Sequence, residues 1–330
     1  MSTILTFDVG GTSLRAGLYS KETRSLLSKL CMSTPNFLHS TLRGSALMLE
    51  VARAMRQAML ELIEHGHHEC PSLAVAGMPG PVDGHGRVLQ APTILGEALV
   101  QPCPFKAELT NMLGLPVVVM NDITAAGFRY VEDGYRDFCL VSMGSGVGAK
   151  IFRDGQPVLG PSFDAGELGH VVCATGPDAL PCDCGGHGHL GAYASGRGTE
   201  RFVQAQVGRD AHGYGQSSLC GGKKQIGTAE IVKAFREGDA WTVLCIDASL
   251  RPLASSLATV RALAGIERYI VIGGFAAAMG PRYAAMLAAQ CDAHYGWSGW
   301  GSAVELGHAD DENGLLGCGR YAENRSTLCL

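Results

Sequence analysis

Strands alternating with helices, a glycine-turned hairpin that occurs twice, and enough chain for two cores predict an α/β protein of two similar lobes. The first hairpin, residues 5–19, is an apolar strand, a Gly10-Gly11-Thr12 turn and a second strand with apolar side chains alternating at Leu14, Ala16 and Leu18. The second, residues 139–152, repeats the plan around Gly144-Ser145-Gly146 and runs into an Asp154-Gly155 turn. At 330 residues, 46% hydrophobic and 17% charged, the chain can fill two medium-sized cores.

Between the hairpins, Met48, Val51, Met55, Met59 and Leu62 recur at three- to four-residue spacing and predict an amphipathic helix over residues 47–64, with the methionines as core packing. The His65, His67 and His68 cluster ahead of Pro71 reads as a solvated loop without a role. A buried strand at Leu73–Met78, a Pro-Gly-Pro loop and a strand over 117–120 that ends on Asn121-Asp122 come next. Further on, Thr228 caps a helix to about Arg236, residues 241–264 form a longer helix, Tyr269–Ile272 is a strand, and Gly273-Gly274 leads to a helix after Met279. Glycine-rich residues 210–227 read as a surface insertion. The lobe boundary is placed after Asp122, giving lobes of residues 1–122 and 123–309, with a carboxy-terminal helix of about 310–330 packing back on the first.

A net charge of −5 and a pI near 6.1 argue against a nucleic-acid partner, which needs a concentrated basic face. The amino terminus enters its first strand without a basic, apolar or cleavable leader, and no run approaches about 18 continuous apolar residues. A cytoplasmic protein with no membrane partner is expected. Most of the 12 cysteines stand singly among apolar residues, as at Cys139, Cys245 and Cys291; only Cys182 and Cys184 are spaced like metal ligands.

The chemistry gathers at strand ends. Gly10, Gly11 and Thr12 form a turn whose backbone N–H groups can approach a polyanion, and Asp8 beside it can organise, through water, the Mg²⁺ that accompanies ATP. Gly144, Ser145 and Gly146 offer a second cradle for the same triphosphate, and Gly273-Gly274 a third turn on which adenine or ribose could lie. An ordinary hairpin would account for either turn alone. Asp122, at a strand carboxyl end, suits a general base for an acceptor hydroxyl, although an aspartate there can also simply cap the following helix. Asn121 can donate to and accept from a polyol. His170, Cys182, Cys184 and His189, set among glycines, make a tetrahedral structural zinc site, with His187 competing for the fourth place.

These motifs resemble the ROK family of sugar kinases and sugar-responsive repressors over nearly the whole chain. Residues 8–12 are similar to its first phosphate motif, 77–83 (GMPGPVD, with Gly80) to its substrate-lobe loop, Asn121-Asp122 to its catalytic pair and 144–148 to its second phosphate motif. Residues 166–170 match its sugar-binding GExGH, 182–188 its zinc signature and 272–274 its nucleotide motif. The resemblance implies an actin-like ATPase (ribonuclease H-like) fold with two lobes around a nucleotide cleft. It also implies ATP, Mg²⁺ and structural Zn²⁺, a small-molecule sugar or cyclitol as partner, and a homo-oligomer, dimer or tetramer. In that scheme Asp122 deprotonates the hydroxyl, Asn121 and Glu167 hold its neighbours, and His170 bridges sugar and zinc.

Three positions depart from the pattern. His189 stands where the family has its third zinc cysteine, a set zinc also accepts. Gly191 replaces a glutamate that binds a hydroxyl near the anomeric carbon; losing one charged hydrogen bond is worth about 1.5–3 kcal/mol of discrimination. Thr93 replaces the sugar-contacting asparagine after Ala91-Pro92. An intact catalytic frame with an altered pocket predicts a kinase of a hexose or hexose-like polyol, acting on the primary hydroxyl. A C7-cyclitol is the alternative acceptor, and a non-catalytic sugar sensor the alternative of another class. The repressors' helix-turn-helix domain has no room ahead of Ile4.

Overall fold

The computed structural model describes residues 3–66, 70–221, 225–296 and 299–324. His67 and His68, and residues 325–330 of the expected carboxy-terminal helix, lie outside them.

The chain opens with strands β1 (Thr3–Val9), β2 (Ser13–Ser20) and β3 (Ser25–Ser33), then helix α1 (Gly44–Gly66), β4 (Leu73–Met78), the short α2 (Pro92–Leu95), α3 (Phe105–Leu113), β5 (Val117–Asn121) and α4 (Asp122–Glu132). A second series follows: β6 (Phe138–Met143), β7 (Val147–Arg153), β8 (Gln156–Pro157), a 3₁₀ turn (Leu168–His170), α5 (Gly191–Ala194), α6 (Gly196–Arg209), α7 (Ala211–Gln216), α8 (Thr228–Glu237) and α9 (Ala240–Ala264). It closes with β9 (Tyr269–Ile272), α10 (Gly274–Met279), α11 (Pro281–Tyr295), β10 (Val304–Leu306) and α12 (Asn313–Asn324).

The strands form two five-stranded sheets, ordered β3-β2-β1-β4-β5 and β10-β9-β6-β7-β8. Both are built alike. An antiparallel hairpin (β1–β2, β6–β7) pairs on one side with a third antiparallel strand (β3, β8) and on the other with two parallel strands in succession (β4 and β5, β9 and β10). The hairpin repeat read from the sequence is therefore the visible part of a duplicated sheet. Side-chain alternation assigns the faces. Leu5, Phe7 and Val9 pack with Met48, Val51 and Met55 of α1, while Ile4 and Val75 meet Cys318 and Ala322 of α12. In the second sheet Cys139, Val141 and Met143 pack with Cys245, Ile246 and Leu250 of α9, while Phe138 and Leu140 meet Ile123 and Phe128 of α4.

The inner helices are thus exchanged. The helix that follows the first sheet buries its aromatic face on the second while its Ala125 still meets the first, the helix that follows the second lies on the first, and α4 and α12 pack on each other. Their backbones touch closely: a Cβ on Gly317 would fall 1.9 Å from the Ala125 carbonyl oxygen, so only glycine fits there.

Several local expectations change. Gly227, not Thr228, occupies the cap position of α8; the Thr228 N–H and hydroxyl both turn to the Glu200 carboxylate. The segment expected to be a surface insertion, 210–227, does lie at the surface in α7, none of whose residues is buried, but it is anchored to the core among its described residues. Trp241 Nε1 donates to Asp210 at 3.1 Å, and Leu219 and Ile226 enter the core. The helix expected after Met279 is α11, which begins at Pro281, and a further six-residue helix, α10, precedes it directly from Gly274. Among the described residues α9 alone is long and apolar enough to cross a membrane, yet it carries Asp247, Arg251 and Pro252 and packs along α11 as a core helix.

Candidate active site

A cleft of about 1070 Å³ runs between the sheets and brings together most of the predicted residues: Asp8, Gly10, Gly11 and Thr12 from the first turn, Gly144, Ser145 and Gly146 from the second, and Gly273 and Gly274 from the third. Gly80, Thr93, Asn121, Asp122, Glu167, His170, Cys182 and Cys184 line it as well.

The first turn is strapped from outside. Thr34 Oγ1 donates to the Gly10 carbonyl at 2.8 Å, Asn36 Nδ2 donates to the Gly11 carbonyl at 2.9 Å, and the Thr34 N–H donates to the Thr12 carbonyl. With the carbonyls drawn back by these two buried side chains, the turn can present N–H groups to an anion. Neither Thr34 nor Asn36 was legible as a site residue, since each lies in a loop more than 20 residues from the turn it serves. The second turn is fixed by the Gly196 N–H, at the start of α6, donating to the Gly144 carbonyl at 2.8 Å.

Asp122 is the first residue of α4, and the cap before it is Asn121, whose Oδ1 accepts from the Ile123 and Thr124 N–H groups. The capping role considered for Asp122 therefore belongs to its neighbour. Asn121 Nδ2 donates to the Gly80 carbonyl and to Asp122 Oδ1, each at 3.0 Å, so every hydrogen-bonding group of this amide is taken within the protein. The Ile123 N–H also donates to Asp122 Oδ1, at 2.9 Å. One carboxylate oxygen is held twice. Burial first, then the Asp8 carboxylate, push the Asp122 carboxyl up to about 8; Glu167 adds to the rise, while the Ile123 N–H and Lys150 oppose it. Asp8 is itself raised by burial, against the pull of Arg15 at 3.8 Å.

Thr93 sits where the two phosphate turns converge: ideal Cβ atoms on Gly11 and Gly146 would lie 2.9 Å and 3.3 Å from its side chain. Its hydroxyl is buried with no hydrogen-bond partner among the described residues. Gly191 begins α5 and accepts from Ser195 Oγ at 2.6 Å; a Cβ there would lie 3.2 Å from the Gly169 carbonyl oxygen. The α6 and α8 residues Arg197, Glu200 and Thr228 also line the cleft, a contribution without a motif.

Below Glu167, the ligand atoms of His170, Cys182, Cys184 and His189 all lie within 4.8 Å of one another, and His187 is outside the group. A tight knuckle makes this possible: Pro181 bridges His187, and the Cys182 N–H donates to the Gly186 carbonyl. Gly186 leaves room for the imidazole: a Cβ there would stand 2.5 Å from His189 Cε1 and push the ring aside. Two thiols and two imidazoles in one four-cornered cluster suit zinc in kind and number. Asp183, between the cysteines, pairs with Arg197 at 2.9 Å and with Arg201, tying the knuckle to α6.

Duplicated sheets of this order, joined by exchanged helices over a cleft, define the actin-like ATPase fold. The chain belongs to the ROK family, whose model matches residues 4–324. It is 36% identical, over 96% of its length and 93% of the relative's, to the C(7)-cyclitol 7-kinase of Streptomyces hygroscopicus subsp. limoneus. Among solved structures it is similar to a ROK family glucokinase from Streptomyces griseus in complex with glucose and AMPPNP, with TM-score 0.77 and 24% identity over 96% of this chain and 98% of that one. A ROK family transcriptional regulator, a homolog of the E. coli MLC protein, gives TM-score 0.74 and 21% identity over 97% and 78%. Both structural likenesses speak to the fold.

Proposed function

We propose that this chain is an ATP-dependent kinase that phosphorylates the primary hydroxyl of a hexose-like polyol, and that a C7-cyclitol is the acceptor it favours. The observation that carries the reading is Asp122. It stands at a strand end across one cleft from two phosphate turns, with Oδ1 held by Asn121 and Ile123, which leaves Oδ2 for the acceptor hydroxyl. Phosphoryl transfer then rests on positioning and on neutralising charge. The turns at 10–12 and 144–146 would hold the triphosphate, the Gly273-Gly274 turn the nucleoside, and Asp8, beside the first turn, would hold through water the Mg²⁺ that screens the phosphates. Asn121 orients the base, and Glu167 and His170 hold acceptor hydroxyls.

His170, Cys182, Cys184 and His189 would hold a structural zinc ion, which would fix the loop bearing His170 and Glu167. The acceptor is inferred from two supports: the full-length relative named for a C7-cyclitol, and a glycine at 191 that supplies no carboxylate to an anomeric-side hydroxyl. ATP turnover should be measured against D-glucose, N-acetyl-D-mannosamine and a C7-cyclitol, with Asp122→Ala beside the wild type. Cyclitol turnover well above glucose, abolished in the variant, is the expected result. Robust glucose turnover would overturn the acceptor, and no turnover on any polyol would replace the kinase with a non-catalytic sensor.

A further inference from the structure

Lys150 lies on β7 with no exposed surface, and no motif accounts for it. A lysine is almost never fully buried unless paired, since an apolar side chain of its volume would fill the same space without desolvating a charge. Its Nζ donates to the Ala165 carbonyl and stands 3.5 Å from Glu167 Oε1. The 165–167 segment rests on it: an ideal Cβ on Gly166 would meet the Lys150 stem at 3.2 Å, and the Ala149 N–H donates to the Gly166 carbonyl at 2.9 Å. Glu167 and Asp122 line the cleft; Lys150 does not. It is a buried cation behind a carboxylate that lines the cleft, and its charge reaches Asp122 as well.

We propose that Lys150 is a positioning residue for the acceptor, its ammonium fixing the rotamer of Glu167 at the acceptor end of the cleft. This rests on the kinase reading above, in which Glu167 holds an acceptor hydroxyl. A carboxylate released from its cation would swing or recruit water, and the acceptor would lose a partner held in place before it arrives. The ammonium of Lys150 meets Ala165 and Glu167 rather than a nucleotide turn, so ATP binding should be indifferent.

The test is a double-mutant cycle on the whole protein with the polyol from the panel that wild type turns over best. Lys150→Met, which keeps the stem's volume, should raise the acceptor KM about tenfold or more and leave the ATP KM within twofold. Adding it to Glu167→Gln should cost less than a further twofold. An acceptor KM unchanged in Lys150→Met, or fully additive losses in the double variant, would overturn the proposal and leave Lys150 a packing residue. If Lys150→Met does not fold, Lys150→Gln, neutral but still a donor, is read by the same criteria. Should wild type turn over no polyol, the kinase reading falls separately. Lys150 is then decided by crystal structures of wild type and variant: Glu167 displaced supports the proposal, and Glu167 unmoved overturns it.

Discussion

The Asp122 carboxyl carries opposing demands that can be separated by pH. Burial and Asp8 favour its protonated form, whereas a general base must be ionised to take the acceptor's proton. The kcat/KM for the acceptor should therefore fall on the acid side with a midpoint well above the ordinary carboxylate range, near 8 at low nucleotide and lower once Mg–ATP adds its cation. A profile flat from pH 5 to 9 would remove Asp122 as the base. Asp122→Asn should lower kcat by about 10²- to 10⁴-fold. The same substitution should stabilise the fold at high pH. A carboxyl whose folded value is raised from 3.8 to about 8 leaves the unfolded chain ionised first, so stability is full below about 4 and is lost as pH rises towards 8. Scanning calorimetry should find Asp122→Asn with the higher Tm at pH 8.5 and no advantage at pH 4. Asp122 was legible because it directly follows an apolar strand. Lys150, Thr34 and Asn36 were not, because their partners lie 17, 24 and 25 residues away in sequence and nothing in their own neighbourhoods announces them.

At the level of elements, local patterns were most readable where hydrogen bonding is local. Both glycine-turned hairpins follow from alternation and turn residues, and the metal knuckle from closely spaced cysteines and histidines. The α4 cap was misplaced by one residue because Asn and Asp are equally good caps, and only the backbone beyond β5 decides between them. Helix α10 was missed because a six-residue helix has too few turns to show a period. The choice between His187 and His189, open in the sequence, becomes a concrete expectation. Metal analysis of purified protein should find one zinc per chain, kept in His187→Ala and lost in His189→Ala and Cys184→Ser. Because His170 shares its short 3₁₀ turn with the residue after Glu167, the zinc-free variants should also show a raised acceptor KM. Zinc retained in His189→Ala would break the assignment.

For the whole molecule, two repeated hairpins were enough to predict two lobes, and the return of the carboxy-terminal helix to the first lobe was expected as well, but its close packing on α4 lay beyond any local pattern. The exchange of α4 and α12 is a contact between segments nearly 200 residues apart, and it depends on Gly317, which in the sequence is only a glycine inside a helical stretch. Asp122 opens α4, so whatever separates the two helices also moves the base relative to the phosphate turns. Gly317→Ala puts a methyl where the Ala125 carbonyl now is, and overpacking of this kind typically costs about 1–3 kcal/mol. The expected outcome is a Tm lower by several degrees. Because a displacement of roughly 1 Å at reacting atoms can cost about 10²-fold, kcat should fall by more than either KM changes. If Gly317→Ala instead unfolds no earlier than wild type and turns over normally, the helix exchange is only packing, and the base must be held by β5 and Asn121 alone.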